Sequence, residues 1–366
     1  MKNRVFLKIF TLLLVVCTIV IFTACTPTED GNNEPPTHDD ALTSKVVLFI
    51  GDGMGPNHEY NTELYYEESM YFSSFSVKTT VDTNSLSGVT DSSAAATAMA
   101  TGERISNGKV AIRADKSSIV SITELAKRDQ YGAGVVTSDN ITGATPAGFS
   151  AHAKSRDNSA EILLSQKDSP IDLLLGAGSY SSAYESHFAD KGWNWVKTYD
   201  QLSTENKRFV ATFESVAYEN GTDSSPTLTE LASYAIDYME ANYSTGYFLM
   251  IEGARIDKES HSGDIAKMMK NQRDFSNAVK TVDQKLSATG SAYSLIVTAD
   301  HKTGGLQKAN SKAEVTDALY TTSDHTDTKV NLYFKSTLAT APSILGAESI
   351  LNTDIFLLCK ELLAIK

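Results

Sequence analysis

The chain has 366 residues, with 45 acidic against 32 basic side chains, a formal charge of −13 and only three cysteines. This acidic balance argues against nucleic acid as a partner, because phosphate backbones are bound through clustered Lys and Arg. A site for a small anion would have to be made positive locally, by arginine or metal ions. Cys17 and Cys25 lie near the start and Cys359 stands alone in the remainder, so no intramolecular disulfide is expected.

Taken in chain order, Lys2, Arg4 and Lys8 precede an apolar run over 9–24. This is the pattern of an export signal over residues 1–24, although the run also approaches the length of a membrane anchor. Ile21-Phe22-Thr23-Ala24-Cys25 resembles a bacterial lipoprotein cleavage site, in which Cys25 becomes the lipidated N-terminus. A lipid-anchored product and a soluble exported one are the two expected outcomes, both outside the cytoplasm. Residues 1–24 carry three positive charges and no negative one, so without them the formal charge falls from −13 to −16. Residues 25–44 are rich in Pro, Asn, Asp, Glu and Thr and too poor in large apolar side chains to order themselves, which predicts a disordered tether. Residues 45–366 suffice for one large domain with a sizeable core.

Short apolar runs at 46–50, 133–136, 247–251, 293–297 and 330–334 read as strands, and most end in polar clusters such as Gly51-Asp52-Gly53, Thr137-Ser138-Asp139, Glu252-Gly253 and Asp300-His301. Helical patterns lie at 119–128, 227–242, 264–288 and 350–365. The alternation predicts an α/β fold with a largely parallel central sheet and helices on both faces. Ligands in such folds bind beyond the carboxyl ends of the strands, where these polar clusters fall. Residues 179–225 read as a polar, irregular, peripheral insertion.

The segment VTDSSAAATAMATG places Ser92 after an acidic residue and at the head of a run of helix formers that stops at Gly102. A serine there is either a polar helix cap or a nucleophile set among the free N–H groups that favour an anion. Asp52, Asp300 and His301 stand at strand ends. Asp257 and His261 are four apart in IDKESH and would share a helix face, and His325 precedes the last strand expected. Taken singly, these are turn, ion-pair and loop residues. Together they form two sets of nitrogen and oxygen ligands suited to zinc. Glu252 and Thr145 add hard oxygen ligands that suit magnesium, and Arg156 offers a planar fork for two phosphate oxygens.

At this point the sequence resembles the alkaline phosphatase family, over about residues 45–334. IGDGMG, VTDSSAAATA, ATPAGFSAHAKSR, IEGARIDKESH and VTADH occur in the family's order, and HTDTKV resembles a sixth block with Asp327 where glycine is usual. The resemblance implies two Zn²⁺ and one Mg²⁺. It assigns Ser92 as nucleophile, Arg156 as phosphate clamp and Asp91 as the residue orienting Arg156. Asp257, His261 and His325 would hold the first zinc. Asp52, Asp300, His301 and Ser92 would face the second. Asp52, Thr145 and Glu252 would hold magnesium, and Lys258 would reach phosphate through water.

Two departures stand out. Gly143 occupies a position where members often carry Asp or His near the magnesium waters, which implies a third site that is looser or binds something else. Only 24 positions separate His301 from His325, so the family's surface crown is expected to be missing; a homodimer is left open, since the usual dimer contact would go with it. The implied activity is hydrolysis of phosphate monoesters through a phosphoserine. A related hydrolase of phosphodiesters, phosphonates or sulfate esters is the alternative enzyme. A non-catalytic phosphate-binding lipoprotein is the alternative outside enzymes.

Overall fold

The computed structural model describes residues 45–205 and 208–366; the signal and tether expected over 1–24 and 25–44 lie outside the described residues. Among the described residues there are twelve strands: β1 (Lys45–Gly51), β2 (Val77–Asp82), β3 (Gly132–Asn140), β4 (Leu173–Ala177), β5 (Trp193–Val196), β6 (Arg208–Phe213), β7 (Tyr247–Gly253), β8 (Ser294–Thr298), β9 (Lys302–Thr303), β10 (His325–Thr326), β11 (Val330–Ser336) and β12 (Ser349–Leu351). Ten of them form one sheet in the order β12-β2-β11-β8-β1-β7-β3-β4-β6-β5, while β9 and β10 pair as a separate antiparallel ribbon. Only β11 runs against its neighbours in the large sheet. Strands β1, β4, β7 and β8 are buried at every residue, which is why they read in sequence as unbroken apolar runs: a parallel strand covered on both faces has no solvent side to make polar.

The helices are α1 (Pro56–Tyr66), α2 (Ser92–Thr101), α3 (Ile122–Arg128), α4 (Ala144–Ser150), α5 (Ser159–Asp168), α6 (Ser182–Ala189), α7 (Leu228–Asn242), α8 (Arg255–His261), α9 (Ile265–Thr289) and α10 (Asp354–Leu362). One group, with α7, α8 and α9, packs together around α9; another, with α2, α3, α4 and α10, packs together around α2. The start signals are legible in the side chains. Thr227 with Glu230, and Ser121 with Glu124, form reciprocal capping boxes, and Asp264 caps α9 through the Lys267 N–H. No described helix is long and apolar enough to cross a membrane.

Three local expectations differ from the structure. The helix expected at 119–128 begins only after its Ser121 cap. The helix expected at 350–365 is split: Ile350 sits in edge strand β12, paired with Val81, and α10 starts at Asp354. The described residues of 179–225 are not all irregular. They contain α6, β5 and β6 and form the far edge of the main sheet, where Phe188 packs on Trp193 and Trp195. Of these two strands only β5 is an edge strand with exposed positions, which weakens its apolar pattern; β6, between β4 and β5, is buried at all but its first residue, and Arg208 and Thr212 interrupt its apolar run.

Candidate active site

The carboxyl ends of β1, β7, β8 and β3 converge at the middle of the sheet; Glu252 and Asp139 lie in the last residues of β7 and β3, and Asp52, Asp300 and His301 just beyond the ends of β1 and β8. Helix α2 points its N-terminus at the same place. Asp91 caps it, accepting the Ala94 N–H at 2.9 Å. Ser92 is therefore the first residue inside the helix rather than its cap. Its hydroxyl is buried and lies 3.2 Å from His301 Nε2. The other oxygen of Asp91 accepts from Gly108 N–H at 2.9 Å and from Arg156 Nη1 at 3.2 Å. One carboxylate thus fixes the helix start and aims the guanidinium beside it.

Three imidazoles meet next to Ser92, and each has its Nδ1 occupied. His325 Nδ1 lies 2.9 Å from the Thr90 carbonyl, His261 Nδ1 is bonded to the Ser323 carbonyl, and His301 Nδ1 lies 3.1 Å from Thr303 Oγ1. A carbonyl can only accept, so in His325 and His261 the Nδ1 carries the proton. Thr303 donates its own hydroxyl proton to Asp257 and is free to accept from His301. All three Nε2 atoms are then lone pairs aimed inward, the arrangement that fixes histidines as metal ligands. His261 Nε2 is 3.1 Å from His325 Nε2 and 3.2 Å from Asp257 Oδ2. His301 Nε2 is 3.1 Å from Asp300 Oδ2 and 3.5 Å from Asp52 Oδ1, and neither oxygen has another hydrogen-bond partner among the described residues.

Lone pairs and buried carboxylate oxygens at these separations need a proton or a cation between them. Asp257, His301 and His325 form one compact ligand group, and Asp52, Asp300 and His301 form another. The donor sets therefore fit metal ions. Without one, burial together with the charges of Asp300, Asp257 and Glu252 pushes Asp52 well above the usual carboxylate range. Burial also raises Asp257, but the His261 hydrogen bond and the His301 and His261 charges outweigh it and hold the group below that range.

On the other side of Asp52, Thr145 Oγ1 lies 3.5 Å from Asp52 Oδ2, and Glu252 accepts from the Thr137 hydroxyl. Burial lifts Glu252 to about 7 against these bonds. This side opens into a cavity of about 340 Å³ lined by Ser92, Arg156, Asp52, Glu252 and Lys258, among others. Small residues make the approach feasible. A Cβ at Gly148 of α4 would come within 2.7 Å of Ala96 Cβ, so the glycine and the alanine run of α2 let the two helices pack closely. Gly53 has φ +71° and a Cβ there would meet Thr303 and Asp257 below 3 Å, which allows the Asp52 turn to nest between ligand-bearing segments.

All twelve residues singled out in the sequence lie at this end of the sheet. Three others were missed. Thr303 links His301 to Asp257, Thr137 holds Glu252, and Asp139 pairs with Lys258 at 2.5 Å. Thr137 and Asp139 sit in a polar strand end that was visible in sequence without a role, and Thr303 closely follows Asp300-His301.

The alkaline phosphatase family profile matches residues 43–173 and 185–348. Alkaline phosphatase 4 of Bacillus subtilis is 29% identical over 322 residues, covering 79% of this chain and 68% of the relative; alkaline phosphatase 3 of the same organism is 31% identical over 291 residues, covering 71% and 61%. Among solved structures, the cold-active alkaline phosphatase of Shewanella sp. aligns with TM-score 0.75 at 25% identity, over 87% of this chain and 99% of that one. The alkaline phosphatase of the Antarctic bacterium TAB5 aligns at 0.74 and 24%, over 89% and 99%, and shares the fold. With a family profile spanning most of the chain and ligand-bearing residues gathered at one end of the sheet, the chain belongs to the alkaline phosphatase family of metal-dependent hydrolases.

Proposed function

We propose that this protein hydrolyses phosphate monoesters through a phosphoserine on Ser92. The observation that carries the reading is the Ser92 hydroxyl at the N-terminus of α2, 3.2 Å from His301 and in one cavity with Arg156. Asp257, His261 and His325 would hold one zinc, Asp52, Asp300 and His301 a second facing Ser92, and Asp52, Thr145 and Glu252 a magnesium. When bound, such ions supply positive charge for the attacking and leaving oxygens of an in-line displacement.

The chain's own residues do the rest. Arg156, aimed by Asp91, binds two non-bridging phosphoryl oxygens, and the first-turn N–H groups of α2 favour the anion. Ser92 Oγ bonds to phosphorus as the bond to the ester oxygen breaks, and the alcohol leaves with a proton. Water then attacks the phosphoserine, which releases inorganic phosphate and restores the hydroxyl, so the reaction is a double displacement. The N-terminal pattern supports export, with Cys25 lipidated and the enzyme tethered outside the cytoplasm.

The test is phosphate release from p-nitrophenyl phosphate at alkaline pH by protein stripped of metal and reloaded with zinc and magnesium. Metal-dependent turnover that disappears in Ser92→Ala is expected. Turnover retained by Ser92→Ala would remove the phosphoserine, and preference for a chromogenic diester or sulfate ester over the monoester would remove the substrate class.

A further inference from the structure

The roles above leave the acidic end of β3 unused. Val136 pairs with Leu175 of β4, but Asn140 pairs with Ala177, so four steps along β3 match two along β4. An irregularity of this kind bends a strand and re-aims a side chain. Here it turns Asp139 onto the wall of the cavity that holds Ser92, Arg156 and Glu252, with Asp139 Oδ2 at 2.5 Å from Lys258 Nζ. The Asp139 N–H donates to Thr137 Oγ1 at 3.0 Å, and Thr137 in turn donates to Glu252. The Asp139 side chain is 19% exposed and that of Lys258 47%, so the carboxylate is the anchored partner and the ammonium the mobile one. Gly143 lines the same cavity, but a Cβ there would come within 2.9 Å of the Asn140 carbonyl. This loop has no room for a side chain at 143, and the acidic group on this wall comes from the strand end instead.

We propose that Asp139 is a positioning residue for Lys258: it fixes the ammonium at the rim of the phosphate pocket and offsets its charge, so that a bound phosphate dianion is oriented without being over-held. An unpaired lysine on a flexible stem would swing over the pocket and add its full attraction to the anion. The inference rests on the phosphomonoesterase reading only in taking phosphate as the ligand.

The test is inorganic phosphate binding by calorimetry to the full chain reloaded with zinc and magnesium, which needs no turnover. Asp139→Asn keeps the shape and removes the charge; it is expected to tighten phosphate about two- to fivefold, the scale of a half-exposed ion pair. Asp139→Glu is expected to restore most of the wild-type affinity. In a Lys258→Ala background the Asn substitution is expected to change nothing. Unchanged affinity in Asp139→Asn, the same tightening without Lys258, or no phosphate binding by the wild type would each overturn the proposal. A protein that shows the lysine-dependent tightening yet hydrolyses no monoester would sink the catalytic reading and leave this one standing.

Discussion

Around His301, side chains of Asp300, Asp52, Ser92 and His325 crowd to within 3.5 Å, counted as ring separation for the second histidine. Around Glu252, by contrast, the partners are hydroxyls, Thr137 and Thr145, and the wall opens into the cavity. The first region pairs carboxylates with imidazoles. Asp257 and Asp300 therefore stay below the usual carboxylate range even though burial pushes them up, while burial and the charges of these two carboxylates together raise Asp52, the third acid of the group. The second region gives a buried carboxylate only neutral donors, so burial wins and Glu252 rises. Two buried acidic clusters a few ångströms apart thus solve the same desolvation problem differently, and the histidine side is the more tightly built.

Substitution at the crowded, histidine-rich end should have the largest effect. His301 faces both ligand groups, so His301→Ala should lower kcat/KM by at least ~10²-fold and reduce bound zinc, read by metal analysis of the purified variant. Full zinc content with near-normal kinetics would show that the crowding is only packing. Arg156→Ala comes next. It removes the ion pair to Asp91 and should lower kcat/KM by roughly 10–100-fold, with weaker inhibition by phosphate, as expected for the loss of a bidentate clamp. If inhibition by phosphate is unchanged, Arg156 does not touch the anion.

At the open end the effect should be milder. Thr145→Val preserves shape and removes one hydroxyl from between Asp52 and Glu252. It should lower turnover by about tenfold, the lower bound for losing a supporting ligand, with zinc retained and the dependence on added magnesium steepened. Equal loss of zinc would mean that the two regions are a single unit.

The smallest effect lies outside both regions. Glu59 is buried between α1 and β11, accepting from Tyr333 and, at 2.9 Å, from Asn331, and burial pushes it up to about 7 from its ordinary 4.5. Its folded value exceeds its unfolded one, so the folded state holds a proton that the unfolded state has released between those values. Stability should therefore fall as pH rises from about 4.5 through about 7. Glu59→Gln should flatten that slope, by an amount on the order of 2 kcal/mol between urea denaturations at the two ends of the window, with turnover unaffected. Parallel curves for wild type and variant would show that another group sets the slope.

Much of this was written in the sequence itself. Strands β1, β7 and β8 were legible because full burial leaves only apolar side chains, and α7 and α9 because Thr227 and Asp264 announce their starts. Ser92, Asp52, the Asp257–His261 spacing and Asp300-His301 were legible because their residue types sit at strand ends and helix starts, where backbone geometry exposes them. Tertiary structure decided the rest. Which strands lie side by side, and that β5 and β6 extend the main sheet, depends on long-range pairing that no local pattern encodes. That Asp91 rather than Ser92 caps α2 depends on the cap's own hydrogen bonds. That Thr303 joins two ligand groups, and that Asp139 faces Lys258, depends on a tight glycine turn and a register shift a few residues long. A local pattern fixes which side chains can do chemistry; only close packing of distant segments fixes which of them meet.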